Sequence, residues 1–485
     1  MPMKVPELLQ GWVEGAPAIE LTGISLDNRN IEPGQAFVAV RGHHTHGMKY
    51  ASSAVAAGAS VIIHDGLHPL PRLAAPAIEV PDLGNRLGEL ASRFYAAPSE
   101  QMTIAGVTGT NGKTSVAHFL AQSWQRVYGR AGMVGTLGRG AIGQLQLGSR
   151  TTPDAFRLQQ SLAACLKSGV ECLAMEVSSH ALQQKRCQTV QFDAAIFTNL
   201  SRDHLDYHSD MEEYAGAKRL LFTDYAPSFA VINHDDVVGR KWFGELNGGM
   251  QMLSFGLNKG AELRASVSAM DINGMTVRID GPWGSEDIHT CLLGEFNASN
   301  LLAAAGTMAL LGMPWNLVLH QLEIMQPVPG RMMRMGGDQG QPVVIVDYAH
   351  TPDALQKALH AIRAHLDGKL VCVFGCGGDR DQGKRPQMGR AAESLADDVV
   401  VTSDNPRRES ADKIIDDVIA GLEMPGRATI EPDRALAIRQ AIATCGAGDV
   451  VLVAGKGHET WQEIGTHKIP FNDETTILNA LGDVA

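Results

Sequence analysis

Four short apolar runs in the last third of the chain constrain its fold more than any other feature: "QPVVIVDYAH", "GKLVCVFGCGG", "DDVVVTSDN" and "DVVLVAGKG". Each stops at a polar or glycine-rich loop, and helical patterns lie between them. Strands read as continuous apolar runs when helices cover both faces of a parallel sheet. The expectation is a doubly wound, Rossmann-like domain over 328–485, entered through the Pro- and Gly-bearing "IMQPVPGRMMRM". In such sheets ligands collect at the carboxyl ends of the strands, where all four loops lie.

The same grammar recurs upstream. "MTIAGVTGTNGKTSVAHFLAQSW" runs from strand through glycine loop to helix, and "ECLAMEV", "FDAAIFTNL" and "SFAVIN" alternate with helical patterns as far as 325. A central domain over 96–327, built on a mostly parallel sheet, follows. Before it, "GQAFVAV" and "MKYASSAVAAGASVIIHD" outline a smaller α/β domain over 1–95, with the polar "RFYAAPSEQ" as separator. The fold class expected is therefore α/β in three domains, and 485 residues with 44% hydrophobic content suffice for three cores.

Charge and cysteine usage exclude other classes. A formal net charge of -12 opposes attachment to nucleic acid or to an anionic membrane face. The first residues lack a signal-peptide core, and nowhere do eighteen apolar residues run together, so a cytoplasmic protein is expected. Seven scattered cysteines without a CxxC pair read as reduced thiols.

The glycine loop carries chemistry. In "GTNGKT" (109–114), backbone N–H groups and the helix N-terminus can face phosphates, Lys113 adds a point charge, and the Thr114 hydroxyl can ligate Mg²⁺. Its spacing is unusual, because Val107 stands where such loops have their first glycine. Glu176 ends one strand and His204 follows another. Either alone reads as a solvated surface group, but three strand ends converging on one phosphate loop point to a metal site. Lys218, within the amphipathic "EEYAGAKRLLF", reads by default as an exposed lysine.

Ten stretches in order ("GVTGTNGKT", "EVSSHAL", "FTNLSRDHLDYH", the "YAGAK" ending at Lys218, "GEFNASN", "PGR", "VDYAHTPDAL", "FGCGGDRDQGKRP", "DNPR" and "VAGKGHE") resemble the Mur ligases. Within that family they are most similar to the members that join meso-diaminopimelate to UDP-N-acetylmuramoyl-L-alanyl-D-glutamate in peptidoglycan synthesis. The resemblance implies that ATP phosphorylates the D-glutamate side-chain carboxylate, that the amine of diaminopimelate attacks the acyl phosphate, and that an amide results. It also implies Mg²⁺ and a monomer, with small molecules as the only partners.

Carried over residue by residue, the resemblance implies that Gly109, Thr110, Asn111, Gly112, Lys113, Thr114 and Ser115 hold the ATP phosphates. Asn297 and Asn300 meet the adenine, and Arg331 and Asp347 the rest of the nucleotide. Thr114, Glu176, His204 and a carbamylated Lys218 hold the metal, since a carbamate is an anionic oxygen ligand and an ammonium cannot ligate a cation. Thr151, Thr152, Ser178, Gln184 and Arg186 meet the muramoyl peptide, and Leu26, Asn28, His43, His44 and Thr45 the uridine. Arg380, Asp404, Asn405, Pro406, Arg407, Gly455 and Glu459 meet diaminopimelate, with the Arg407 fork on its distal carboxylate and Glu459 on its distal ammonium. The chain departs from the family at Asn28, often Ser, at His46, often Asp, and at Met333, commonly Glu. Two rivals stand beside this reading: a folylpolyglutamate synthetase, which shares the phosphate loop, and a nucleotide-binding scaffold without catalysis.

Overall fold

The computed structural model describes residues 2–484 apart from 43, 44, 149, 206, 247, 248 and 339. These fall into two compact units, Met1–Phe255 with Gly306–Gly312, and Gly256–Ala305 with Met313–Ala485.

In the first unit, residues up to 95 form a parallel sheet in the order Gly23–Ser25, Gln35–Ala39, Val61–His64, Ala77–Glu79. Side chains alternate across it, as strand geometry requires. Ala36, Val38, Val61 and Ile63 enter one core, and Phe37, Ala39 and Ile62 the other. A second sheet runs Gln251–Gly256, Phe229–Asn233, Ala194–Phe197, Thr103–Thr108, Cys172–Glu176, Ala131–Gly135, Gly138–Ala141, parallel throughout except for the last strand. The stretch read as a polar separator is packed instead: Phe94, Pro98 and Ser99 are buried, and the Ser99 hydroxyl donates to the Thr189 carbonyl at 3.3 Å.

The second unit begins with a structure the sequence reading did not foresee. Helix–strand alternation was expected through 325, yet Leu263–Asp271, Gly274–Gly281 and Gly284–Thr290 form an antiparallel meander. Its signals were present: half-buried alternation, with "NG" and "GPWG" at the two turns. The remainder is the expected doubly wound sheet, in the order Met333–Gly336, Val343–Asp347, Val450–Ala454, Leu370–Phe374, Asp398–Val401, Thr429–Ile430, with only the first strand antiparallel. Ile345, Cys372, Val401 and Leu452 face the core that holds Leu355 and Met388, whereas Val346, Val373, Val400 and Val453 face the core that holds Ile438 and Ile477. Both faces are covered, so the four central strands are apolar except at the ends, where Asp347 and Asp398 stand. All seven cysteines are free.

Candidate active site

Thr103–Thr108 lies between two parallel neighbours whose register sets Glu176 opposite Val107 and Phe197 opposite Thr108. The loops that follow the three strands therefore meet. Asn199 takes the Thr110 N–H on its carbonyl at 2.8 Å and the Asn111 N–H on its side chain at 3.0 Å, while the Thr198 hydroxyl donates to the Asn111 carbonyl at 2.6 Å. Gly109, at φ 147°, could carry no side chain, because a Cβ would overlap the Thr198 hydroxyl. Gly112 turns the chain into the helix Lys113–Tyr128, whose first turn contains Thr114 and Ser115.

Two lysines converge on one acceptor. Lys113 Nζ donates to the carbonyls of Gly109 and Thr110, each at 2.8 Å, and Lys218 Nζ donates to the same Gly109 carbonyl at 2.8 Å. The exposed lysine expected at 218 is buried, 1% accessible, with its Nζ 4.3 Å from the centre of the Tyr214 ring. Burial, and then the neighbouring Lys113, hold its amine well below the ordinary lysine value. Its position is on the buried stripe of the helix Met211–Thr223, with Tyr214, Ala217, Leu221 and Phe222, so the default reading of a lysine as exposed went against the periodicity of its own helix.

Glu176 is 1% accessible and accepts from the Thr114 hydroxyl at 2.9 Å, the Thr136 N–H at 2.7 Å and the Thr136 hydroxyl at 3.3 Å. All three donors are neutral, and among the described residues no side-chain cation pairs with this carboxylate. A buried carboxylate beside a hydroxyl, with its charge uncompensated, fits a hard divalent cation. His204 lies beside Tyr214 near the phosphate loop: it sits at φ 54°, its ring centre 5.9 Å from that of Tyr214, and the Tyr214 hydroxyl lies 3.2 Å from Thr110 Oγ1.

The muramoyl-peptide candidates adjoin this cluster. Thr152 donates to the Glu176 carbonyl at 2.9 Å and accepts the Ser178 N–H at 3.2 Å; Thr151 Oγ1 lies 3.2 Å from Thr136 Oγ1. Arg186 donates to the Thr152 carbonyl at 2.9 Å and to Gln184 Oε1 at 2.6 Å, and Gln184 in turn donates to the Tyr207 hydroxyl at 3.0 Å. Burial, and then Arg150, lower the Arg186 pKa, so an anion would be welcome there. Of the uridine candidates, Leu26 packs at the edge of a core, Asn28 donates to the Ser53 hydroxyl at 2.9 Å, and the Thr45 carbonyl accepts the Gly42 N–H at 2.9 Å. His43 and His44 lie outside the described residues. His46 is a buried structural group, its Nδ1 accepting the Met48 N–H at 3.1 Å and its Nε2 lying 2.9 Å from Asp65.

The remaining nucleotide candidates belong to the second unit. Asn297 and Asn300, both buried, start the helix Glu295–Leu310; the first donates to the Leu293 carbonyl at 2.8 Å and the second to Asn297 Oδ1 at 3.1 Å. Asp347 accepts the N–H groups of Met332 and Ala349, each at 2.8 Å, and burial raises its pKa. Arg331 stacks 4.7 Å above the Tyr348 ring. Met333 opens the edge strand Met333–Gly336.

The diaminopimelate candidates cluster at the strand ends of the same unit. Gly377 lies between Arg407 Nη1 and Arg380 Cγ, 2.9 and 3.8 Å from where its Cβ would stand, so two guanidinium-bearing side chains share one side of the cluster. In the same cluster, Glu459 accepts from Asn405 at 2.8 Å and from Lys456 Nζ at 2.9 Å. Burial opposes ionisation of Glu459, but Lys456 and Asn405 outweigh it and leave its pKa lowered. Asp404 is buried, with its pKa raised by that burial, and packs so close to Gly455, at φ 113°, that a Cβ there would lie 2.9 Å from Oδ2. Pro406 N-terminally flanks Arg407 through an ordinary trans bond. Sequence reasoning missed two partners. Lys456 is fully buried within the quoted "GKGHE" and bonds Asn405 Oδ1 at 3.1 Å, and Glu463 pairs with Arg407 Nε at 3.0 Å. The lysine was findable as a charge at a buried strand end; the glutamate, on a distant hairpin, was not.

The Mur ligase family, catalytic domain matches residues 20–95, the Mur ligase middle domain 107–308, and the Mur ligase, glutamate ligase domain 330–457. The chain belongs to the Mur ligase family. Relatives named UDP-N-acetylmuramoyl-L-alanyl-D-glutamate--2,6-diaminopimelate ligase match it end to end. That from Alkalilimnicola ehrlichii is 47% identical over 99% of both chains, and that from Coxiella burnetii 45% identical over 95% of this chain and 96% of its own. A solved structure of a ligase of the same name superposes with a TM-score of 0.74 at 34% identity, covering 100% of this chain and 99% of the other. Mycobacterium tuberculosis folylpolyglutamate synthase, at 21% identity and a TM-score of 0.59 over 76% of this chain, shares the fold.

Proposed function

We propose that this chain is an ATP-dependent ligase that adds meso-2,6-diaminopimelate to the D-glutamate of UDP-N-acetylmuramoyl-L-alanyl-D-glutamate, in peptidoglycan precursor synthesis. The observation that carries the substrate is the mixed charge of the strand-end cluster: Arg407 and Arg380 flank Gly377, and the Glu459 and Asp404 carboxylates belong to the same group of loops. The distal end of meso-diaminopimelate bears one carboxylate and one ammonium, and the pocket offers a complement to each.

The remaining roles follow from the chemistry of amide formation. Two anions, a carboxylate and a triphosphate, must meet, so positive charge has to be concentrated and aligned. Lys113 exchanges its loop carbonyls for phosphate oxygens, and the N–H groups of the 109–115 loop cradle the same phosphates. Mg²⁺, when bound, supplies the rest of that charge; Thr114, Glu176, His204 and a carbamate on Lys218 would hold it. The lowered pKa of Lys218 favours the neutral amine, the form that condenses with CO₂. Thr151, Thr152, Ser178, Gln184 and Arg186 hold the peptide end of the nucleotide-sugar. Leu26, Asn28, His43, His44 and Thr45 hold the uridine, and Asn297, Asn300, Arg331 and Asp347 the adenosine. Functionally the chain divides into nucleotide-sugar (1–95), ATP (96–327) and amino-acid (328–485) domains. It works as a cytoplasmic monomer; among the described residues no helix is long and apolar enough to cross a membrane.

The test is phosphate release with ATP and a panel of amino acids, using UDP-muramoyl dipeptide or a folate as acceptor. Turnover with the muramoyl dipeptide that is fastest with meso-diaminopimelate is expected. Turnover with the folate, or none with any pair, would overturn the assignment.

A further inference from the structure

We infer that Glu463 is the positioning residue that sets the specificity of the amino-acid pocket, by fixing which edge of the Arg407 guanidinium faces the substrate. The inference rests on the reading of Arg407 as the carboxylate-recognising group.

Arg407 occupies a backbone conformation, φ 51°, that an L side chain rarely adopts. It is held there from the hairpin strand Trp461–Ile464. The Arg407 N–H donates to the Glu463 carbonyl at 2.9 Å, and the Arg407 carbonyl accepts the Gly465 N–H at 2.7 Å, closing a parallel bridge to Ile464. The same glutamate then acts on the side chain, its Oε2 accepting from Arg407 Nε at 3.0 Å, while the Gly378 carbonyl accepts from Nη1 at 2.8 Å. Of the five guanidinium hydrogens, these two contacts engage Nε and one edge of Nη1. Among the described residues Nη2 has no partner. A carboxylate can therefore be met only by the Nη1–Nη2 end of the fork, whereas a free arginine could equally offer its Nε–Nη2 side.

Glu463 also reaches the next recognition group. Its N–H donates to Asn405 Oδ1 at 2.9 Å, and that oxygen also takes the Lys456 ammonium at 3.1 Å, so the Asn405 amide must turn its Nδ2 toward Glu459. One residue of the hairpin thus orients both the cationic and the anionic ends of the pocket. Side chains that direct a recognition group without touching the ligand act through its geometry, and their loss shows in selectivity before it shows in turnover.

The test compares kcat/KM for meso-diaminopimelate and L-lysine in the wild type, Glu463→Ala, Glu463→Gln, Arg407→Ala and the double variant Glu463→Ala/Arg407→Ala, with melting curves recorded for each. Glu463→Ala should raise KM for meso-diaminopimelate about tenfold, with a smaller change in kcat, and leave the lysine values near wild type. Glu463→Gln, which retains an acceptor for Nε, should recover part of the selectivity. In the Arg407→Ala background, removing Glu463 should change the selectivity no further. A wild-type preference that survives in both Glu463 variants overturns the inference, as does an equal loss with both amino acids. If Glu463→Ala does not fold, Glu463→Gln decides alone, and an undiminished ratio there overturns it. A wild type without preference would instead bring down the reading of Arg407 and, with it, the role of Glu463.

Discussion

Replacing Gly135 by alanine adds one methyl group and aims it at the carboxylate at the centre of the proposed metal site. Gly135 is not among the glycines at positive φ, so the substitution carries no backbone penalty and its effect is one of contact. The new Cβ would overlap Glu176 Oε1 and lie 2.9 Å from both Cγ and Cδ, where ordinary contact begins at 3.4 Å. The carboxyl carbon must retreat by about half an ångström and the oxygen by more. Oε1 is the atom that accepts the Thr136 N–H at 2.7 Å, and Oε2 the one that accepts the Thr114 hydroxyl at 2.9 Å, so the retreat strains both bonds. A hydrogen bond to an ionised group contributes about 1.5–3 kcal/mol; losing one corresponds to roughly tenfold to hundredfold in the step that needs it. Measured as initial rate against Mg²⁺ concentration at saturating ATP, Gly135→Ala should require more magnesium and reach a lower kcat. Its affinity for UDP-muramoyl dipeptide, by calorimetry without nucleotide, should change little. A magnesium dependence identical to wild type would refute the placement of Glu176.

Three further outcomes are expected. Lys113→Ala should lose phosphoryl transfer by a hundredfold or more, on the order of 3 kcal/mol in barrier, while UDP-muramoyl dipeptide still binds; an equal loss of that affinity would contradict separate sites. Stripping CO₂ from the buffer should lower wild-type activity and bicarbonate should restore it, while Lys218→Arg should stay inactive in both; because the Lys218 pKa is lowered, restoration should set in at lower pH than it would for an ordinary lysine. Full activity without CO₂ would remove the carbamate. Arg407→Ala should reduce the preference for meso-diaminopimelate over L-lysine by about tenfold to hundredfold, from the loss of a charge-assisted contact of about 1.5–3 kcal/mol; an unchanged ratio of kcat/KM would take Arg407 out of that role.

What could be read from the sequence, and what could not, divides by range. Strands such as Val343–Asp347 and Val450–Ala454 were legible because burial on both faces leaves their central positions apolar, and the loops at their ends were legible as ligand-bearing by topology alone. Glu176 at a strand end was legible for the same reason. Lys218 was placed on its helix correctly and exposed wrongly, since the default for a charged residue outweighed its place on the same stripe as Tyr214, Ala217, Leu221 and Phe222. Arg407 was read as an open fork, yet Glu463 already holds its Nε: a pairing between residues far apart in sequence leaves no local trace. Lysine in the pocket would leave that arginine partly satisfied, which is why the expected preference is modest.

The packing of residues 93–101 also bears on where the chain can be cut. The core under the first sheet includes Ala155 and Phe156, from the helix Ala155–Lys167 of the neighbouring layer, together with Leu90 and Phe94, and Gly88 gives its carbonyl to the Thr189 hydroxyl at 3.0 Å. A fragment beginning at Met102 would leave Phe156 facing water and that hydroxyl without its acceptor; a fragment ending at Tyr95 would lose one wall of its interior. The nucleotide-sugar module is therefore no detachable cassette, and grafting it onto another ligase would require transplanting the complementary face of the helix that closes it.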